Sequence, residues 1–215
     1  MDVVLDNLDL FLRGMRTTVT LTVLSFSAAL VIGTVVAAFR ISPVPPLRAV
    51  GTFYVGTVRN TPLAVLMILF FSGLPDAGVI VDSRYVSAVI VLSAYTGAFV
   101  AEAVRAGVNS VAAGQGEAAR SLGLTFPQVL FLVVLPQAIR TVVAPLGSIF
   151  IALIKNSALA ALISVAELAG NAEELIRSTA QPIPIFVGTA VAYLALSLPA
   201  GLAVARLERR YAIKR

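Results

Sequence analysis

The chain has 215 residues, of which 59% are hydrophobic and only 13% charged, with a mean hydropathy of +0.96 and a formal charge of +5. Soluble domains are about 45–50% apolar and about 25% charged, so a chain this short would expose much apolar surface to water, and lipid is the better solvent. Histidine, cysteine and tryptophan are absent, which excludes a thiol nucleophile, a disulfide framework and the common zinc sites. The basic residues gather in the tail (Arg206, Arg209, Arg210, Lys214, Arg215) and in short connections between apolar runs. That is how a membrane protein marks its cytoplasmic face, so no nucleic acid is expected as a partner.

Asp2, Asp6 and Asp9 open the chain; this is not the basic start of a cleaved leader, and none is expected. Five runs meet the requirement of about 20 mainly apolar residues for a membrane helix. The first, 17–39, stops at Arg40 before Ser42-Pro43-Val44-Pro45-Pro46. The second, 52–74, is interrupted by Arg59-Asn60-Thr61-Pro62, and the third covers 85–104. A polar connection over 105–140 leads to the fourth run, 141–163, and the fifth covers 185–205. An acidic start and a basic tail predict an N-terminus outside and a C-terminus in the cytoplasm, with Arg13, Arg16, Arg84 and Arg177 running against that rule. No internal repeat is visible, so a carrier built from duplicated halves is not expected. Residues 1–215 read as one all-α transmembrane domain that pairs with another copy or a relative.

The 105–140 connection is too long for a simple link. Within it Glu117-Ala118-Ala119-Arg120-Ser121-Leu122-Gly123 reads as a short helix closed by a glycine able to take a left-handed cap. A second helical run follows Pro127, up to Leu135-Pro136. Glu-Ala-Ala, three residues, glycine, nine residues, an aliphatic (Val133), one residue and Leu135-Pro136 together resemble the EAA loop of bacterial ABC import permeases. The flanks resemble the polar amino-acid branch: Ala101-Glu102-Ala103-Val104-Arg105-Ala106-Gly107, Gly114-Gln115-Gly116, Leu135-Pro136-Gln137-Ala138, Lys155-Asn156-Ser157-Ala158-Leu159 and Val58-Arg59-Asn60-Thr61-Pro62-Leu63. Arg40-Ile41-Ser42-Pro43-Val44 and Ala119-Arg120-Ser121-Leu122-Gly123-Leu124 look most like actinobacterial glutamate permease subunits. The branch often carries Asp-Thr-Ser where this chain has Asn156-Ser157-Ala158, which puts a cationic substrate in doubt.

The resemblance implies a type I ABC importer transmembrane domain: five membrane helices and a cytoplasmic coupling loop, in a bacterial plasma membrane. It implies that Glu117, Ala118, Ala119, Gly123, Leu135 and Pro136 engage an ATP-binding subunit, present in two copies. It further implies a second, related permease subunit and an extracellular binding protein that delivers an amino acid. ATP and Mg belong to the partner ATPase. In this chain no glycine loop precedes Lys155 or Lys214 to cradle phosphate, so neither an enzyme nor a cofactor site is expected.

Candidate substrate-path residues follow from polar groups inside apolar runs. Arg59, Asn60 and Thr61 stand where Pro62 breaks a helix, and broken backbone at membrane depth is tolerated only beside protein or a cavity; Arg59 is alternatively a structural charge. Glu102 either lines the path or pairs with Arg105, its i, i+3 neighbour. Tyr95, Thr96 and Phe99 serve the path or simple packing. Lys155, Asn156 and Ser157 lie deep in the fourth run, where a lone cation is costly; cargo carboxylate, Glu167 or a partner subunit would neutralise it. The rival readings are a small channel or carrier working alone, which leaves the long loop without a task, and an intramembrane enzyme. The enzyme reading would need a Ser–Lys or paired-carboxylate site, and Lys155 and Ser157 do not face each other on a helix.

Overall fold

A computed structural model describes residues 2–76, 78 and 81–211; Lys214 and Arg215 of the basic tail lie outside the described residues. Among the described residues the chain is helical throughout. One turn, α1 (Asp2–Leu5), precedes α2 (Leu8–Ile41), which outruns the 17–39 apolar stretch at both ends. Polar side chains do not terminate a helix: Arg13 pairs with Asp9 one turn earlier, and Thr17 Oγ1 donates to the Arg13 carbonyl. Termination comes from Pro43, which holds Ser42 extended at φ −56°, ψ 141°. At about 1.5 Å per residue α2 is about 51 Å long, well beyond a hydrocarbon core of about 30 Å.

Helix α3 (Pro45–Asn60) starts on tandem prolines, whose missing N–H groups would be unpaired there anyway. It ends where Pro62 holds Thr61 extended, at φ −100°, ψ 130°. Helix α4 (Leu63–Ile68) leaves in a new direction, so that Pro45–Asn60 and Leu63–Gly73 are bent by 105°. The second apolar run is a broken span and not a straight one. A π-helical stretch, Leu69–Gly73, leads into α5 (Leu74–Asp76).

The capped helix α6 (Arg84–Asn109) follows, with Ser83 Oγ accepting from the Val86 N–H at 3.3 Å. After α7 (Ala113–Ser121), the segment α8 (Phe126–Gln128), a π stretch Val129–Val134, α9 (Leu135–Asn156) and a 3₁₀ segment Ser157–Ile163 run on as one apolar helical segment of 38 residues. Pro136 therefore does not separate a short helical run from the fourth span. Both π stretches stand just ahead of a proline, Pro75 or Pro136, which donates no N–H and crowds the carbonyl four residues back; the wider winding relieves that crowding. Helices α10 (Leu168–Thr179) and α11 (Pro182–Tyr211) complete the chain. Four helices are long and apolar enough to cross a membrane, and the bent pair makes a fifth.

The centre of the bundle is α6, packed most closely against α2. Over its most apolar stretch 56% of α6 is buried, against 17% for Phe126–Ile163 and for Pro182–Tyr211, whose outer faces are left for lipid or another subunit. Small residues permit the α2–α6 approach. A Cβ added at Gly33 would lie 2.5 Å from the Val100 Cβ and 2.8 Å from the Gly97 carbonyl oxygen, whereas one at Gly56 would meet nothing within 4 Å. Gly33→Val is therefore expected to cost about 1–3 kcal/mol through overpacking, read as a lowered Tm of the detergent-purified protein, while Gly56→Ala leaves the Tm unchanged.

Candidate functional site

Of the 105–140 connection, 105–109 belong to α6 and 126–140 to the long 126–163 helical segment, so the loop proper is α7 with the short links on either side of it. Ala119 is buried, 6% exposed, while Glu117, Ala118 and Arg120 face outward. Gly123 closes the helix at φ +82°, donating its N–H to the Arg120 carbonyl at 2.9 Å, and the Leu124 N–H reaches the Ala119 carbonyl at 3.2 Å. This pair of bonds is the complete Schellman closure, which satisfies two helix-end carbonyls. Thr125 and Gln128 then form a capping box that starts α8, with the Thr125 N–H donating to Gln128 Oε1 at 2.8 Å. Gln137, next to Leu135 and Pro136, donates to Gln115 Oε1 at 2.5 Å and so ties α7 to α9. Leu122 and Phe126, both outside any core, are 83% and 75% exposed on this loop.

A second cluster centres on Glu102. Arg40 Nη1, at the end of α2, donates to Glu102 Oε2 at 2.5 Å, and Arg105 Nη2 donates to Oε1 at 2.5 Å. Arg59 Nη1 stands 3.4 Å from Oε2, with its guanidinium 5.2 Å above the Phe99 ring, which in turn packs on Tyr95 at 5.1 Å. One carboxylate thus joins the ends of α2 and α3 to α6. The Arg105 pair read from the i, i+3 spacing is present, and Arg59 reaches the same carboxylate. Arg40, read in the sequence only as a topological charge, is the most enclosed of the three arginines, at 13% side-chain exposure. Thr96 is buried on α6, while Asn60 and Thr61 bond back to the Gly56 and Thr57 carbonyls at 2.7 and 2.9 Å.

Lys155, Asn156 and Ser157 mark the switch from α9 to the 3₁₀ segment. Because the helix begins at Phe126, Lys155 lies further along its span than a count from residue 141 implies. Its side chain is exposed, and among the described residues no carboxylate lies within ion-pair distance. Glu167 is not its partner; that side chain is fully buried among other groups. Ser157 is fully buried and donates to the Ile154 carbonyl at 2.8 Å. The two interrupted segments meet in one core, where Leu63 and Met67 of α4 pack with Leu153, Ala160 and Ile163, and with Tyr95 beside them. No group of three metal-capable side chains occurs among the described residues.

A family model described as "Binding-protein-dependent transport system inner membrane component" matches residues 29–213. The Bacillus subtilis protein named "Probable glutamine ABC transporter permease protein GlnM" is 38% identical, over 97% of this chain and 96% of its own. The "Glutamate transport system permease protein GluC" of Corynebacterium efficiens is 41% identical, over 92% of each chain. Among solved structures, a chain of "an amino acid ABC transporter with histidines" superposes with a TM-score of 0.91 at 32% identity, covering 96% of both chains. The helical bundle is that of a type I ABC importer transmembrane domain. The chain belongs to the family of inner-membrane components of binding-protein-dependent transport systems.

Removing Glu102 would leave three arginines on three elements without their shared acceptor. Glu102→Ala is expected to cost up to about 3 kcal/mol, less than a fully buried pair because part of the cluster reaches solvent. Arg59→Met, which removes only the longest and most exposed contact, is expected to cost about 0–1 kcal/mol. Thermal unfolding of both purified variants beside the native chain checks the order.

Proposed function

We propose that this chain is the permease subunit of an ATP-driven amino-acid importer and that it carries glutamate or another acidic or polar amino acid. The observation that carries this reading is the exposed α7 helix with its Gly123 closure, held against the long 126–163 helix and tied to it by Gln115 and Gln137. A nine-residue helix with Glu117 and Ala118 outward and Leu122 uncovered is suited to dock in a groove of a separate ATPase. Two such ATPases, holding ATP and Mg, would serve this chain and a second, related permease, and an extracellular binding protein would supply the amino acid. The loop is cytoplasmic in this reading, with the N-terminus outside, the C-terminus inside and the whole in a bacterial inner membrane. The named glutamine and glutamate permeases among its relatives support an amino-acid cargo.

Within the span, the side chain of Lys155, which has no acid partner among the described residues, supports cargo that brings a carboxylate. Asn156 and Ser157 are neutral, which suits an anion better than a cation. Arg59, with Phe99 and Tyr95 around it, forms the second cationic element beside the helix break, and Asn60, Thr61, Thr96 and Glu102 complete the proposed path.

Two experiments test the two halves of this reading. Gly123 adopts φ +82°, where a β-branched side chain is strained, so Gly123→Val should leave the spans folded and reduce binding of the ATPase subunit, measured by co-purification, together with ATP-driven uptake. Lys155→Met should preserve assembly and reduce glutamate uptake from the loaded binding protein by about tenfold or more, the size expected when a charged hydrogen-bonding partner is lost; native uptake by that variant would remove Lys155 from the cargo site.

A further inference from the structure

Glu167 is fully buried, and the mechanism above does not use it. It stands at the N-cap of α10, where Oε1 accepts the Gly170 N–H at 2.8 Å. A capping residue needs no more than that. Its other oxygen nonetheless accepts two side-chain donors from distant parts of the chain, the Thr18 hydroxyl of α2 at 3.2 Å and the Tyr193 hydroxyl of α11 at 2.7 Å. The direction of the Thr18 bond follows from its neighbour: Thr18 Oγ1 already accepts the Leu168 N–H at 3.2 Å, which turns its own proton toward Glu167. All three partners donate, which suits an acceptor-only carboxylate. Among the described residues no lysine or arginine pairs with it, so neutral donors alone hold the buried acid, and each of them matters more for that.

Glu167 also follows the 3₁₀ segment directly: its N–H donates to the Val165 carbonyl at 2.9 Å, and the Val165 N–H donates to the Ala160 carbonyl within that segment at 3.2 Å. Ser157 is itself fully buried and adjoins Lys155 and Asn156 at the point where α9 tightens into the 3₁₀ segment. The group that Glu167 makes with Thr18 of α2 and Tyr193 of α11 therefore holds the far end of the 3₁₀ segment that starts at Ser157, directly after Lys155 and Asn156. We propose that Glu167 is a positioning residue for the cargo site: acting through Tyr193, it fixes the Lys155–Asn156–Ser157 turn against α2 and α11. This rests on the reading of that turn as the place where cargo carboxylate binds. Lys155 needs such support because its own side chain is exposed on this chain and the 3₁₀ winding that follows it is a poorly bonded geometry.

The test uses the assembled transporter, this chain with its permease partner, ATPase and loaded binding protein, in liposomes. Glutamate uptake, ATP consumed per glutamate and the yield of assembled complex are measured together. Tyr193→Phe removes one hydroxyl and keeps the ring; it should assemble at native yield, lose about tenfold or more in uptake, and raise the ATP consumed per glutamate. Glu167→Asp keeps the cap on Gly170 but is too short to keep Tyr193, so it should reproduce the Tyr193→Phe loss, and the double variant should be no worse than the poorer single one. Native uptake by Tyr193→Phe overturns the proposal, as do losses that multiply in the double variant or that only follow a fall in assembled complex. If Glu167→Asp fails to assemble, Tyr193→Phe decides alone. Lys155→Met in the same assay separates the two ideas: native uptake there defeats the cargo reading itself, whereas loss there with native uptake by Tyr193→Phe defeats only the positioning role.

Discussion

In hydrocarbon a backbone N–H or C=O left unpaired costs several kcal/mol, as an order of magnitude, so every departure from the α-helix must be covered by protein. The departures in this chain follow from that constraint. Pro62 ends α3 and forces a 105° bend, and the chain resumes in α4 only because Leu63 and Met67 pack into the main core. Pro75 and Pro136 are accommodated by π winding within helical segments that continue. The switch from α9 to 3₁₀ at Ser157 is covered by the same core, through Ala160 and Ile163. The two interruptions thus shield each other, and the polar residues at them are Asn60, Thr61, Asn156 and Ser157.

Charge inside the bundle is managed in two different ways. At Glu102 one acid is shared by three arginines from α2, α3 and α6, leaving a local excess of positive charge beside Phe99. At Glu167 one acid has, among the described residues, only neutral donors, from α2, α10 and α11. The first device tolerates rearrangement, because its weakest contact, Arg59 at 3.4 Å, can be exchanged for another anion without stranding the acid. The second does not, because losing any donor leaves a buried carboxylate under-satisfied.

The sequence shows its local signals well and its distant partners hardly at all. Long apolar runs, the proline at 62, the glycine at 123 and the spacing from Glu117 to Pro136 are legible because each acts within a few residues of itself. Helix ends were less legible. The start of α2 at Leu8 and the start of the 126–163 segment do not fall where hydrophobicity begins, and the second is set by the Thr125–Gln128 cap. The i, i+3 contact between Glu102 and Arg105 can be read from spacing, but Arg40 lies 62 residues from Glu102 and Thr18 lies 149 from Glu167. An acid just ahead of a helix start hints at a cap, and nothing near it in sequence hints at Tyr193.

The loop and the interruptions are linked by rigid elements. Helix α6 runs from its cap at Ser83 past Tyr95, Phe99 and Glu102 to Asn109, and α7 begins at Ala113, so anything that moves α7 pulls on the helix that holds the arginine cluster. On the other side Gln137 anchors α7 to α9, and α9 ends at Lys155 and Asn156. Residues 110–112 join α6 to α7 and Gln137 joins α7 to α9, so the loop is connected to both polar interruptions through these two helices. Closely packed helices shift between discrete arrangements more readily than they deform, and the α2–α6 seam at Gly33 and Gly97 leaves α6 little room to slide on its own.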